Sequence, residues 1–231
     1  MEISYKYLSW FFMALLAIIL FGFQRYFLSF PGFNGFNYVH HIHAISLLLW
    51  FGMLFIQPVL IYKKKFALHR ILGKVSYFLV PFIVFFTLMA MKTQYMSGVK
   101  EKLPHEFSLA LLYLPAAALI PFVILYILAI VNRKNTKYHM RYMIATAIAL
   151  LGPGIGRINF GIQDMTQAIM FAFVLSDLFF IGLLVFEYFK TRIYKPYVIS
   201  MAICLFFHGI YTFFPSTPLW QTIASKFIVW F

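Results

Sequence analysis

The sequence predicts an all-α integral membrane protein, a bundle of seven transmembrane helices forming one domain over 1–231. Three observations predict it. Of the residues, 63% are hydrophobic and 11% charged, against about 45–50% and about 25% in soluble domains. Apolar runs of about 20 residues recur, and at roughly 1.5 Å per residue these match the hydrocarbon core of a bilayer. Short loops dense in Lys and Arg alternate with less basic ones, and such loops stay cytoplasmic. The formal charge of +13 is therefore assigned to orientation and anionic lipid. Nucleic acid is excluded as a partner, because no aromatic and basic residues interleave as a single-strand groove requires.

The first predicted helix, 7–23, has Tyr5, Tyr7 and Trp10 placed to anchor the inner interface. MEISYKYLSW has no strongly basic leader and no small-residue cleavage site follows Leu20, so this helix is expected to be retained. The turn SFPGFNGFN leads to the second helix, 39–62, which ends in the basic run Lys63-Lys64-Lys65 with Arg70 and Lys74 beyond. The third helix, 71–91, contains Pro81 and should kink there. An outer loop follows over 92–106.

The fourth helix, 107–131, ends at the second basic loop, NRKNTKYHMR. The fifth, 139–160, enters LGPGIGRINFG, where Pro153 and four glycines should bend or break it. The sixth, 165–189, starts at Asp164 with Gln167 three residues on, the pattern of a capping box. The third basic loop, KTRIYK, precedes the seventh helix, 196–214. The count puts the N-terminus in the cytoplasm. Over 218–231, Pro218 opens a helix with Leu219, Ile223, Phe227 and Phe231 at helical spacing, read as an amphipathic helix on the outer membrane surface. The third and fifth helices echo each other in His69-Arg70 with Pro81 and His139-x-Arg141 with Pro153.

The histidines sort by depth. His40, His41, His43 and His105 fall at outer helix ends, His69 and His139 at inner helix starts, and His208 about 12 residues into its helix, roughly 18 Å down. His40 and His43, three apart, share a helix face, and imidazole suits haem iron and transition metals. His40, His43 and His105 are thus the candidate ligands for haem b or Cu, Fe or Zn. The plainer alternative is hydrogen bonding to water and headgroups. His69, Arg70, His139 and Arg141 suit lipid phosphate or a second site at the inner rim.

Asp177 lies about 12 residues into the sixth helix, where an ionisable group is costly unless paired. His208 sits at a compatible depth, so the two are read as a relay or supporting pair, or as a plain interhelical hydrogen bond. Arg157, in the glycine-rich break, suits an anion or a haem propionate, or simply reaches the interface. Glu187 is read as a rim ion pair with Lys190 and Arg192. Cys204, the single cysteine, excludes an intrachain disulfide and reads as a small packed hydrophobe. His43 and Ser46 share a face as in membrane zinc hydrolases, but such an enzyme needs H-x-x-x-H on the last helix, where only His208 stands.

The run HHIHAISLLLW…QPVLI…LHRILGKVSYFLVP, with YHMRYMIATAIALLGPGIGRI, resembles a family of uncharacterised bacterial multi-pass membrane proteins common in Bacteroidetes-type genomes. The likeness covers the second to fifth helices. Its most specific parts are His69-Arg70-x-x-Gly73-Lys74 and Pro153-x-x-x-Arg157. It implies the bacterial inner membrane and no particular activity. More distantly, the histidine-ended helices are similar to di-haem cytochrome b and ferric-reductase-like domains. No helix here has two histidines about four turns apart, so a single outer site is implied.

The functional expectation is a haem or metal site near the outer leaflet, serving electron transfer or the assembly of respiratory metalloproteins with redox or assembly partners. The alternatives are a proton or small-solute transporter using Asp177 and His208, and a non-catalytic membrane scaffold.

Overall fold

The structure is a computed structural model that describes the backbone of residues 2–29 and 37–231 and the side chains of 7–24 and 37–231. The predicted outer turn at 30–36 and the Tyr5 side chain lie outside those ranges. Ten helices and a 3-10 turn make up the described residues, with no strand among them. Five stretches are long and apolar enough to cross a membrane: Tyr7–Gln24, Tyr38–Tyr62, Phe66–Lys100, His105–Val131 and Met165–Lys190. The described chain divides into two compact units, 1–90 and 91–231.

In the first unit α1 (Glu2–Ser29) packs along α2 (Tyr38–Tyr62), and Ser9 Oγ donates to the carbonyl of Phe55 at 3.0 Å. Asn37 starts α2 by accepting from the N–H of Val39 at 3.2 Å. The end of α2 closes as a Schellman motif. The Lys64 N–H bonds Ile61 O, the Lys65 N–H bonds Leu60 O, and Lys64 stands at φ 58°, where glycine is usual. Directly after it comes α3 (Phe66–Lys100), and two contacts tie it antiparallel to α2: Gln57 Nε2 donates to His69 O at 3.3 Å, and His43 meets Thr87.

At 35 residues α3 is about 52 Å long, well beyond a ~30 Å hydrocarbon core. The loop expected from residue 92 is therefore helical as far as Lys100, which corrects the predicted end at 91. MKTQYMSGVK has no proline before Pro104, its one glycine, Gly98, stands near the end of the helix, and Met, Lys and Gln are good helix formers. The α3 helix runs through Pro81 without interruption. It ends like α2, with Lys102 at φ 57° and the Leu103 N–H bonded to Gly98 O.

The second unit contains residues 91–100 of α3 and then α4 (His105–Leu111), α5 (Tyr113–Val131), α6 (Thr136–Ala149) and α7 (Gly152–Ile155). After these come α8 (Met165–Lys190), α9 (Lys195–Gly209), a 3-10 turn at Phe214–Ser216 and α10 (Pro218–Trp230). The predicted fourth helix is α4 and α5 with one turn residue, Leu112, between them. The predicted fifth is broken as its glycines and proline require. After Ala149 the chain tightens through Leu150 N–H to Ala147 O and Leu151 N–H to Ile148 O, then makes four residues of α7. Asp164 caps α8 by accepting from the Gln167 N–H at 2.7 Å.

Within this unit α9 packs against α5, α6 and α8. The last helix is pinned to α4 by Trp220, whose indole N–H donates to Leu109 O at 3.0 Å. The Tyr113 ring meets Trp220 edge-on at 5.0 Å while its hydroxyl donates to Phe207 O at 2.9 Å. With 14 and 15 residues, α6 and α9 span about 21–23 Å each, less than the five long stretches.

Candidate functional site

The residues that can do chemistry lie along the contact of α8 with α9. Asp177, Phe173 and Phe180 recur at three- and four-residue spacing on α8 and are all buried. On α9, Tyr197, Ser200, Cys204 and His208 recur in the same way, also buried. Because the helices run antiparallel, Asp177 meets His208: Nδ1 lies 3.1 Å from one carboxylate oxygen and 3.0 Å from the other. Each residue is 7% exposed. Phe173, one turn before Asp177, stacks on the imidazole at 4.1 Å and 8°, and Tyr211 closes on Phe173 edge-on at 5.4 Å.

Where Asp177 is ionised its carboxylate only accepts, and the His208 Nδ1–H is then the donor to both oxygens. In the neutral ring Nε2 then holds the lone pair. A proton added there makes an imidazolium already in contact with its counter-ion. The hydroxyls nearby are satisfied locally, Ser176 Oγ donating to Ala172 O at 2.8 Å and Ser200 Oγ to Pro196 O at 2.8 Å. They leave the pair to each other.

Ten residues farther along α8, about 15 Å by helical rise, Glu187 meets Arg141 of α6. Arg141 Nε and Nη2 donate to the two Glu187 oxygens at 2.8 Å each, Nη1 donates to Lys137 O at 2.8 Å, and Nη2 also donates to Thr191 Oγ1 at 3.0 Å. Thr191 Oγ1 donates back to Glu187. Both charged side chains are 4% exposed. The expected rim pairing of Glu187 with Lys190 and Arg192 gives way to this buried bidentate pair, and Arg141 is committed to it. The pair is not legible in the sequence, because its partners are 46 residues apart on helices that meet only once the bundle forms.

The remaining candidates are placed unit by unit. His40 and His43 belong to 1–90 and His105 to 91–231. Thr87 donates its hydroxyl proton to Ile83 O at 2.7 Å, so the 3.3 Å contact of His43 Nδ1 with Thr87 Oγ1 is one in which the imidazole donates. His105, exposed, has Nδ1 3.1 Å from the Tyr95 hydroxyl. His139 Nδ1 donates to Ala129 O at 2.8 Å, and Arg70 is exposed. Arg157, half-buried, donates to Pro153 O at 2.6 Å, one turn back in its own segment. Among the described residues no group of three or more His, Cys, Asp or Glu gathers to hold a metal ion. A single haem ligand asks only for one imidazole held by a supported Nδ1.

The arrangement holds one buried carboxylate–imidazole pair, with a separate ion pair clamping α6 to α8. No family model, no curated protein and no solved structure matches the chain.

Proposed function

We propose that the protein is a seven-span bacterial inner-membrane protein, N-terminus in the cytoplasm, in which Asp177 and His208 relay protons. The relay supports movement of protons or a small solute across the membrane. One observation carries this reading: a buried imidazole whose Nδ1 contacts both oxygens of a buried carboxylate, on α8, a helix long and apolar enough to span. Ionisable groups at membrane depth are costly and concentrate on proton and substrate paths. In the relay His208 takes a proton at Nε2, becomes an imidazolium against Asp177, and returns to the neutral ring by losing one proton. The test is proton flux into liposomes containing the purified chain, read with an entrapped pH-sensitive dye. The Asp177→Asn variant, folded but without flux, is the expected result.

A second reading is haem b, Cu, Fe or Zn bound near the outer leaflet, in electron transfer or respiratory metalloprotein assembly with partner proteins. What favours it is that His43 and His105 each have Nδ1 against a hydroxyl, the kind of support that orients a ligating imidazole. His40 is the alternative ligand and Arg157 the propionate partner. A haem absorption band, or stoichiometric metal lost in His43→Ala or His105→Ala, supports this reading over the first. A colourless, metal-free protein that conducts protons supports the first. Neither property leaves a membrane scaffold.

A further inference from the structure

A cleft of about 600 Å³ opens where the loop between α5 and α6 meets the loop between α8 and α9. Lys137, Arg192 and Lys195 line it, and no acid does. The only acid in these loops and the helix turns beside them is Glu187, and Arg141 holds both its oxygens. The cleft is therefore a concentration of positive charge with no acid among its lining residues to neutralise it. Arg192 is held in place: its N–H bonds Glu187 O at 2.7 Å, its backbone stands at φ 60°, and its guanidinium lies over the Tyr188 ring at 4.3 Å. That stacking uses one face of the guanidinium and leaves its N–H edge to donate.

Two further features suit an anion. The first turn of α9 opens into the cleft at Lys195, with no side chain capping it and with Pro196 following, so its positive dipole end is unanswered by the protein. Beyond the cations the lining includes Asn135, Tyr138 and Tyr194 and an apolar wall of Ile193, Val198 and Ile199, with Val198 48% exposed, a surface that suits hydrocarbon beside the charge. Phosphate next to a short apolar wall is the chemistry of a phospholipid headgroup with its glycerol and first methylenes.

We propose that this cleft binds the phosphate of an anionic phospholipid, with Lys137, Arg192 and Lys195 on the phosphate oxygens and Val198 and Ile199 against the acyl root. The site differs from the inner-rim set read from the sequence, in which Arg141 and His139 are committed within the protein. It is independent of the proton-relay reading.

The test is equilibrium binding of a fluorescent short-chain phosphatidylglycerol to the full chain in maltoside micelles. Because each basic residue near a surface contributes on the order of 1 kcal/mol toward anionic lipid, Lys137→Gln/Arg192→Gln/Lys195→Gln should weaken binding by roughly a hundredfold. A control with the same charge change elsewhere, Lys63→Gln/Lys64→Gln/Lys65→Gln, should stay within about twofold of wild type. Phosphatidylcholine should bind much more weakly, and inorganic phosphate should not displace the lipid at comparable concentration. Equal losses in the two triple variants, or none in the first, overturn the proposal. Inorganic phosphate binding as tightly as the lipid overturns the lipid assignment. All six substituted residues are exposed, and unchanged melting of both variants certifies that they fold.

Discussion

Replacing Glu187 by leucine removes the carboxylate that neutralises Arg141 while both sites stay dry. The guanidinium, 4% exposed, would keep only Lys137 O and Thr191 Oγ1 as partners and would lose both charge-assisted bonds to Glu187. Breaking a buried pair from one side costs about 3–5 kcal/mol, because a charge is left uncompensated. For a chain of this length each kcal/mol moves the melting temperature by roughly 2–4 °C, so Glu187→Leu should melt about 6–20 °C lower. Replacing both partners by apolar residues of similar volume is often neutral, so Arg141→Met/Glu187→Leu should recover most of the loss. The assay is tryptophan fluorescence of the protein in maltoside during heating. A Glu187→Leu chain that melts within about 3 °C of wild type, less than one broken pair should cost, would refute the reasoning. So would a double variant as unstable as the single.

Three other outcomes follow from the packing. Trp220→Ala removes the indole that holds α10 on α4 and should destabilise by about 3–5 kcal/mol, with faster hydrogen exchange confined to α10 and α4. Cys204 has no exposed surface, so N-ethylmaleimide should label it only after the protein is unfolded in dodecyl sulfate; native labelling would place it elsewhere. Lys102→Gly relieves a left-handed backbone that costs a side chain about 1–2 kcal/mol and should raise the melting temperature slightly; a fall would mean the Lys102 side chain is needed.

The helical class was legible because hydropathy and length act locally, and most helix starts and stops were legible through their chemistry. Asp164 before Gln167 and Pro153 among glycines both act within a few residues, and both do so in the fold. The end of α3 was not legible, since residues 92–100 are mostly polar yet contain no proline, and hydropathy cannot separate an exposed helix from a loop. Asp177 and His208 were brought together by counting helical rise on two successive helices. Arg141 and Glu187 were not, because each has basic neighbours in sequence and its real partner is set by the packing of α6 on α8.

The central claim is that Asp177 and His208 act as one proton-exchanging unit. The most direct measurement is initial proton flux in liposomes for wild type, Asp177→Asn, His208→Gln and the double variant, at matched protein content and verified folding. Groups that act as a unit are non-additive, so each single variant should fall to the rate of empty liposomes and the double should fall no further. A folded single variant that keeps the wild-type flux would contradict the account.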